Sequence, residues 1–228
     1  MRPLVALLSA LGFLLLPAVA AAQTWEDYDY ENLAFRGLGV EIGSVWPHRV
    51  ENTLSLGLRG DLGLLGPNLR IVPSLSFWSS HLRQSEVDRF ASQIIRVCQR
   101  QQNAICPAQL DLGRIRLSDL ALATDAHYLF INPFEATPYL GAGVGVHLLN
   151  GSGEFIDDTF IEELLDAISP ALNLVGGVSV PLTNTLEVFG EARYILLSDV
   201  RHGALSVGGM WRIFPTPPPA PPRARRVR

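Results

Sequence analysis

Residues 134–149 read FEATPYLGAGVGVHLL, and the two parities of this stretch differ completely. Even positions carry Pro138, Leu140, Ala142, Val144, Val146 and Leu148; odd positions carry Tyr139, Gly141, Gly143, Gly145 and His147. A period of two is the signature of a strand, here with one aliphatic face and one glycine face with polar ends. A soluble sheet places charged residues on its wet face, whereas glycine weakens strands and packs nothing. Glycines on one face suit a backbone that curves tightly around little space, as in the wall of a narrow barrel. The aliphatic face then points outward, into lipid.

The pattern recurs. Eight period-2 segments follow one another at 35–46, 52–62, 69–79, 114–130, 134–149, 170–182, 185–197 and 203–214. Their lengths suit tilted membrane strands, which need ~9–11 residues to span the bilayer. LGLLGPN around Gly66-Pro67, INP at Asn132-Pro133 and PLTN ending at Asn184 have the chemistry of tight turns, and they follow the second, fourth and sixth segments. Long insertions at 80–113 and 150–169 follow the third and fifth. Short periplasmic turns alternating with longer extracellular loops are the habit of outer-membrane barrels. Both insertions carry apolar residues at helical spacing: Val87, Phe90, Ile94, Val97 and Cys98 in the first, Phe155, Ile161, Leu164, Leu165 and Ile168 in the second. Ser85, with Asp88 three residues on, is the expected N-cap of the first helix. Such stripes serve either to pack on the barrel mouth or to bind a partner, so 80–113 and 150–169 are candidate contacts for an extracellular ligand.

The ends of the chain are of other kinds. Residues 1–22 combine Arg2, an apolar core from Leu4 to Leu16 and Ala20-Ala21-Ala22, which reads as a secretory signal peptide. An acidic, aromatic lead at 23–34 is expected to lie in the periplasm, before a barrel at 35–214. The tail at 215–228, PTPPPAPPRARRVR, reads as an extended, disordered segment. After Gln23 no apolar run is long enough for a spanning helix, so a membrane-embedded chain must close its sheet to satisfy its backbone. All 22 acidic residues lie in the body at 23–214 against 13 arginines, and lysine is absent. A net charge of −9 there disfavours nucleic acid as a partner. In an exported chain, Cys98 and Cys106 are expected to form a disulfide closing a small loop.

Parity sorts the side chains into two solvents. The outward set includes Leu38, Val40, Ile42, Leu54, Leu56, Leu58, Leu75, Leu120, Leu122, Leu172, Leu174, Leu205 and Val207, with no charge in mid-strand. One charge at the bilayer midplane costs ~2–4 kcal/mol, so a lipid-facing wall must exclude them. Aromatics gather at segment ends, with Trp46, Phe77 and Tyr194 toward one rim and Phe130, Phe134 and Trp211 toward the other, as interfacial girdles do. The inward set holds Glu41, Arg59, Asp61, Arg70, Asp119, Asp125, His127, Glu187, Glu191, Arg193 and Arg212. Hairpin pairing sets Asp61 opposite Arg70 and Glu187 near Arg212. Eight strands enclose just enough room for side chains, so a salt-bridged, closed interior is expected rather than a pore.

These features together resemble the small eight-stranded outer-membrane barrels, the OmpA/OmpX-like porin-fold family, over residues 35–214. The most specific piece is SVGGMWRI, from Ser206 to Ile213, before Phe214. Ser206, Gly208, Trp211, Ile213 and Phe214 look like that family's assembly signal, and the resemblance implies recognition of the last strand by the barrel-assembly machinery. It also implies a monomer surrounded by outer-membrane lipid. Many relatives stop at the terminal aromatic, whereas here the Pro/Arg tail follows Phe214.

Chemistry has few footholds. A base and nucleophile on one face, as in the barrel-fold lipid A deacylases, would need serine two residues after a histidine; His48, His81, His127, His147 and His202 all lack it. Asp199 and His202 faintly echo the rim constellation of omptin-type proteases. Asp125 and His127 share an inward face and read as an interior polar pair. No metal motif, phosphate loop or nucleophile elbow is present, and no cofactor is implied. The expectation is an all-β, eight-stranded antiparallel up-and-down barrel with short helices in two extracellular loops. It is expected in the bacterial outer membrane, without enzymatic activity. A barrel-embedded enzyme acting on lipid A or peptides, a narrow pore and a soluble lipocalin-like carrier are the alternatives.

Overall fold

The computed structural model of the protein describes Tyr30 and residues 33–100, 110–130, 136–153, 167–197 and 201–213. Eight long strands are present: β1 (Gly37–Pro47), β2 (Thr53–Asp61), β4 (Leu69–His81), β5 (Arg116–Leu129), β6 (Thr137–Ser152), β7 (Ala167–Pro181), β8 (Leu186–Leu197) and β9 (Arg201–Arg212). A three-residue strand, β3 (Leu64–Gly66), and one helix, α1 (Gln84–Arg100), complete the described elements. Every neighbour is antiparallel. Each long strand pairs with the next along the chain, β9 returns to β1, and β2 pairs with β4, so the sheet closes on itself. Closure leaves no strand edge unpaired, which is the condition a sheet must meet in hydrocarbon.

The registers place both chain termini of the barrel at one end, with Gly37 opposite Arg212 and opposite Asp61. This near end carries the short turns; the far end carries α1 and the long connections. The turn after β2 is less simple than its sequence suggests. Gly63 adopts a φ of 82°, and β3 folds back on β4 before the chain turns at Pro67-Asn68. Asp61 accepts a hydrogen bond from the Gly63 amide at 2.7 Å and stabilises this detour. The turn after β7 is held by Thr183, whose hydroxyl oxygen accepts from the amides of Thr185 and Leu186. The Asn132-Pro133 turn lies outside the described residues.

At the far end β4, β6 and β7 outrun their expected limits, while β5 starts two residues late, at Arg116. His81, Ser152 and Ala167 are all in the sheet, so the connections span 82–115 and 153–166 rather than 80–113 and 150–169. Ile168 is consequently a strand residue of β7 and not part of a helical stripe; the rest of the second expected helix lies outside the described residues. Helix α1 corrects a second expectation. It starts before Ser85, and the carbonyl of Arg83 accepts the first helical bonds, from Glu86 at 2.8 Å and Val87 at 3.2 Å. Ser85 therefore sits inside the first turn and caps nothing, while Asp88 receives the Gln84 side-chain amide. Cys98 lies in the last turns of α1; its expected partner Cys106 falls outside the described residues.

Burial follows parity as expected. Leu54, Leu56, Leu122, Val144 and Val207 are each about 60–66 % exposed, although they are among the most apolar side chains of the sheet. Their neighbours in sequence face a crowded lumen. Here the glycines act by what they leave out. A Cβ on Gly177 would stand 2.5 Å from the Tyr139 hydroxyl, one on Gly57 would stand 2.8 Å from the Glu41 side chain, and one on Gly143 would overlap the Asp125 carboxylate. Large polar groups on one strand thus lie across bare backbone on the next. Replacing Gly143 by Val should destabilise the barrel by about 2 kcal/mol or more, since overpacking cannot relax against backbone atoms. The check is the urea midpoint of the loss of heat-modifiable gel mobility. A midpoint equal to that of the unaltered protein would contradict the packing assigned to this face.

Candidate functional site

The chemistry-bearing side chains converge in the lumen, in three tiers set by register. Near the barrel's termini, Arg70 of β4 bridges Asp61 of β2 at 2.6 Å and Glu187 of β8 at 2.9 Å, and Arg212 of β9 also pairs with Glu187. Both expected charge pairs form, but Asp61 is not directly opposite Arg70: Arg70 lies across from Leu64 of β3, Arg59 lies across from Ser74, and Asp61 reaches Arg70 diagonally. The Arg70–Glu187 bond spans the barrel, since β4 and β8 are far apart in the strand order.

The middle tier is the densest. Arg59 of β2 meets Glu191 of β8 in a forked pair, Nη1 to Oε2 at 2.8 Å and Nη2 to Oε1 at 2.7 Å. Two parallel charge-assisted bonds of this kind are the strongest form of the contact. Arg59 also reaches Glu41 at 2.8 Å, and its guanidinium lies 4.1 Å from the centre of the Phe189 ring. Arg193 joins Glu191 and Asp125, each at 2.9 Å. The Tyr139 hydroxyl donates to Glu191, and Asn173 donates its amide to Asp125. Arg59, Asp125, Glu191 and Asn173 are all at most 3 % exposed. Charges so enclosed cannot be left single, because an unpaired one carries a large desolvation cost.

Toward the far end, His147 of β6 pairs with Asp119 of β5 at 2.8 Å. Trp78 and His147 each set a ring edge-on to His202. Above them Val45, Val50, Trp78, Leu117 and Leu149 form an apolar plug with Leu82. Leu82 also packs in the next cluster, where Val87 and Ala91 of α1 meet Leu112 and Ile115. The mouth is thus filled by apolar side chains, and α1 packs beside it on residues of the two segments that flank it in the chain. The lumen cavity lined by Arg59, Arg70, His127, Tyr139 and Glu187 amounts to about 10 Å³, room for about one water molecule.

All eleven interior residues singled out from the sequence face the lumen; nine of them join the arginine–carboxylate pairs and Asp119 meets His147. His127 joins neither. It stacks on Tyr139, with centroids 4.7 Å apart and planes 10° from parallel, and makes no pair with Asp125, which is taken by Arg193 and Asn173. His202 is not a rim residue but 3 % exposed within the barrel; Asp199 lies outside the described residues. The roles of Phe189, Met210, Trp78 and Val72, which fill the lumen between charges, were missed because an inward-facing apolar residue looks like a lapse in alternation. Strand parity alone would have found them. Among the girdle residues, Trp46 and Tyr194 stand outward on the far side, both next to Gly203, with Phe77 on the same half. Trp211 and Phe130 stand outward at the near end, and Phe134 is outside the described residues. Of the suspected assembly signal, Ser206, Gly208 and Trp211 lie on β9, with Ser206 and Gly208 inward and Trp211 outward; Ile213 follows it, exposed, and Phe214 is not described. Among the described residues no three His, Cys, Asp or Glu side chains come together as metal ligands.

Solved structures share this architecture. Neisserial surface protein A matches at a TM-score of 0.52 and 14 % identity, over 77 % of this chain and 96 % of that one. The fold is that of a small eight-stranded outer-membrane barrel. The attachment invasion locus protein Ail of Yersinia pestis aligns over 79 % of this chain and 99 % of its own, with 11 % identity and a TM-score of 0.47. The N-terminal barrel domain of Pseudomonas aeruginosa OprF aligns over 78 % and 97 %, with 12 % identity and a TM-score of 0.43. No family model and no curated protein sequence matches the chain.

The middle tier of the barrel makes a sharp energetic prediction. Glu191→Ala removes the acceptor shared by Arg59, Arg193 and Tyr139, and should destabilise the protein by about 3–5 kcal/mol, the range for orphaning a buried charge. Arg89→Ala, on the exposed pair with Glu86, should change stability by less than about 1 kcal/mol. Equilibrium urea unfolding in detergent compares the two; equal small effects would mean that the lumen charges are solvated.

Proposed function

We propose that this chain is a non-enzymatic protein of the bacterial outer membrane, with a structural or surface-interaction role and a closed polar interior. One observation carries the reading: Arg, Glu and Asp are enclosed while Leu and Val cover the outside of the same strands. That inversion is stable only when hydrocarbon surrounds the barrel. In this reading the near end faces the periplasm, the far end and α1 face the exterior, and outer-membrane lipid meets the aliphatic belt between the girdles. The barrel-assembly machinery is its partner during insertion, engaging β9 through Ser206, Gly208, Trp211, Ile213 and Phe214, and the barrel is a monomer. The secretory reading of residues 1–22 supports export.

Absence of catalysis is supported by the state of the histidines. His147 and His202 lie beneath the apolar plug, and His127 is stacked in the lumen against Tyr139, so these three histidines are closed to solvent. The name of the Neisserial match, a surface protein, agrees with a surface role. The alternatives remain a barrel-embedded enzyme acting on lipid A or peptides, and a narrow pore.

Cell fractionation with heat-modifiable gel mobility should place the folded protein in the outer membrane; recovery as a soluble protein would refute the assignment. Lipid A from cells with and without the protein should be the same, and altered acylation would establish an enzyme instead. Planar-bilayer recordings should show no stable conductance steps, because charged pairs and the plug fill the lumen. Leu56→Arg, at mid-belt, should weaken folding into bilayers by ~2–4 kcal/mol.

A further inference from the structure

We propose that an arc of the far rim, carrying Arg201, His48, Arg49, His81, Arg116 and Arg114, is a docking surface for phosphate-bearing lipid headgroups, those of the glycolipid lipid A. The backbone joins these residues into one continuous edge. The His48 amide donates to the Arg201 carbonyl at 3.3 Å, the Glu51 amide donates to the His81 carbonyl at 2.9 Å, and His81 lies opposite Arg116 in the β4–β5 register. Parity turns Arg201, His81 and Arg116 outward, on the same side of their strands as Leu205, Phe77 and Leu120. The four arginines and His48 are exposed. The rest of the described far rim differs: the outward residues at the ends of β6, β7 and β8 are Asn150, Ser152, Ile168 and Leu196, without a charge.

Pairing sets these arginines apart from those of the lumen. Arg59, Arg70, Arg193 and Arg212 each hold a carboxylate, whereas none of Arg49, Arg114, Arg116 and Arg201 does so among the described residues. Two carboxylates stand nearby. Glu51 is exposed within the arc, and Asp111 is exposed near Arg114 and accepts from the Gly113 amide at 2.9 Å. Glu86 and Asp88 are engaged on α1 itself, by Arg89 and Gln84. Arg83, also exposed, donates its Nε to the Val50 carbonyl at 3.1 Å and adds a further guanidinium beside Arg49. The arc is therefore positive on a barrel body of negative net charge. Level decides the partner. Trp46 pairs with Gly203, two residues from Arg201, and Phe77 stands four residues before His81. At ~3.4 Å per residue and a tilt of ~40°, His81 and Arg116 rise roughly 10 Å above Phe77 and Leu120. Headgroups begin at the aromatic girdle, and a long arginine side chain can lower its head toward them. Cations turned outward at that height meet headgroups first. A planar guanidinium takes a phosphate through two parallel bonds. In the orientation proposed above, the leaflet at this level is the outer one.

The inference rests on the reading of the barrel as lipid-embedded, and one experiment separates the two. The purified full-length protein is refolded into phosphatidylcholine vesicles, alone or with a graded fraction of bisphosphorylated lipid A, or of the same lipid with its phosphates removed. Heat-modifiable gel mobility reports folding and its midpoint temperature. Failure to fold into plain phosphatidylcholine would sink the lipid-embedded reading. Folding there, with a midpoint indifferent to the lipid A phosphates, would sink the docking surface alone. Bisphosphorylated lipid A should raise the midpoint saturably, and the dephosphorylated lipid should not. In R114Q/R116Q/R201Q the half-saturating fraction should rise about a hundredfold, at about fivefold for each arginine near an anionic surface, with folding into plain phosphatidylcholine unchanged. Glu51→Gln should lower it up to about fivefold on the same scale. Arg36→Gln, at the near end, should titrate as the unaltered protein does. A loss in that variant and not in the rim variant would overturn the proposal, as would an equal shift with inorganic phosphate in phosphatidylcholine. A rim variant already less stable in plain phosphatidylcholine would show its arginines bound to the chain's own acidic connection at 153–166, and would overturn it as well.

Discussion

The forked contact between Arg59 and Glu191 governs the rest of the structure. It joins β2 to β8 through the middle of the barrel, where both side chains are sealed from solvent. Two charges in that position are tolerable only as a pair, and the pair leaves Glu41, Arg193 and Asp125 to be satisfied in turn. Each of these is met by another lumen side chain, and toward the near mouth Arg70, Asp61, Glu187 and Arg212 form a second cluster of pairs under the same constraint. A sheet that turns this much charge inward has only aliphatic residues left for its outer surface. The lipid belt and the salt-bridged interior are two consequences of one alternation.

Space sets the second constraint. An eight-stranded barrel has an interior about wide enough for its own side chains, and arginine, glutamate and tyrosine are long. They fit because glycine occupies the facing positions of β2, β6, β7 and β9. The glycine face of β6 therefore belongs to the same design as the charges: it is the bare floor across which Asp125 and His127 lie. Where the charges end, toward the far mouth, the lumen changes to Val45, Val50, Trp78, Leu117 and Leu149, and Leu82 links this plug to the cluster that α1 makes with Leu112 and Ile115. The result is a solid plug with a short polar core, a form suited to anchoring exterior segments rather than to passing solutes.

Much of this was legible in the chain because a period of two leaves little freedom. Once parity assigned Leu140 and Val144 to lipid, it assigned Arg59, Glu187 and Glu191 to the lumen, and the inward parity shared by Asp61 and Arg70 made their pairing legible although their register was not. Three things were less legible, each for a physical reason. The extra strand β3 depends on the left-handed turn at Gly63 and on the Asp61 side chain, a local arrangement that a glycine-proline pair nearby disguises as a plain turn. The start of α1 at Gln84 depends on which carbonyl happens to be free, here that of Arg83, so a favourable cap residue at Ser85 misled. The far tier of His147, Asp119, His202 and Trp78 is assembled from four strands, and no spacing within one strand reports it. His202 looked like a rim residue because it follows a loop, and only the closing pairing of β9 with β1 turns it inward.

The central claim concerns which side of the strands meets hydrocarbon. Nitroxide labels placed singly at Leu54, Leu56 and Leu58 of β2 and at Leu140, Val144 and Leu148 of β6, in the protein reconstituted into bilayers, report this directly. Collision with molecular oxygen should be high and with a water-soluble nickel chelate low at all six positions, oxygen contact peaking toward mid-strand. Free access of the nickel chelate along the whole of both strands would show that water bathes the aliphatic side, and would contradict the account.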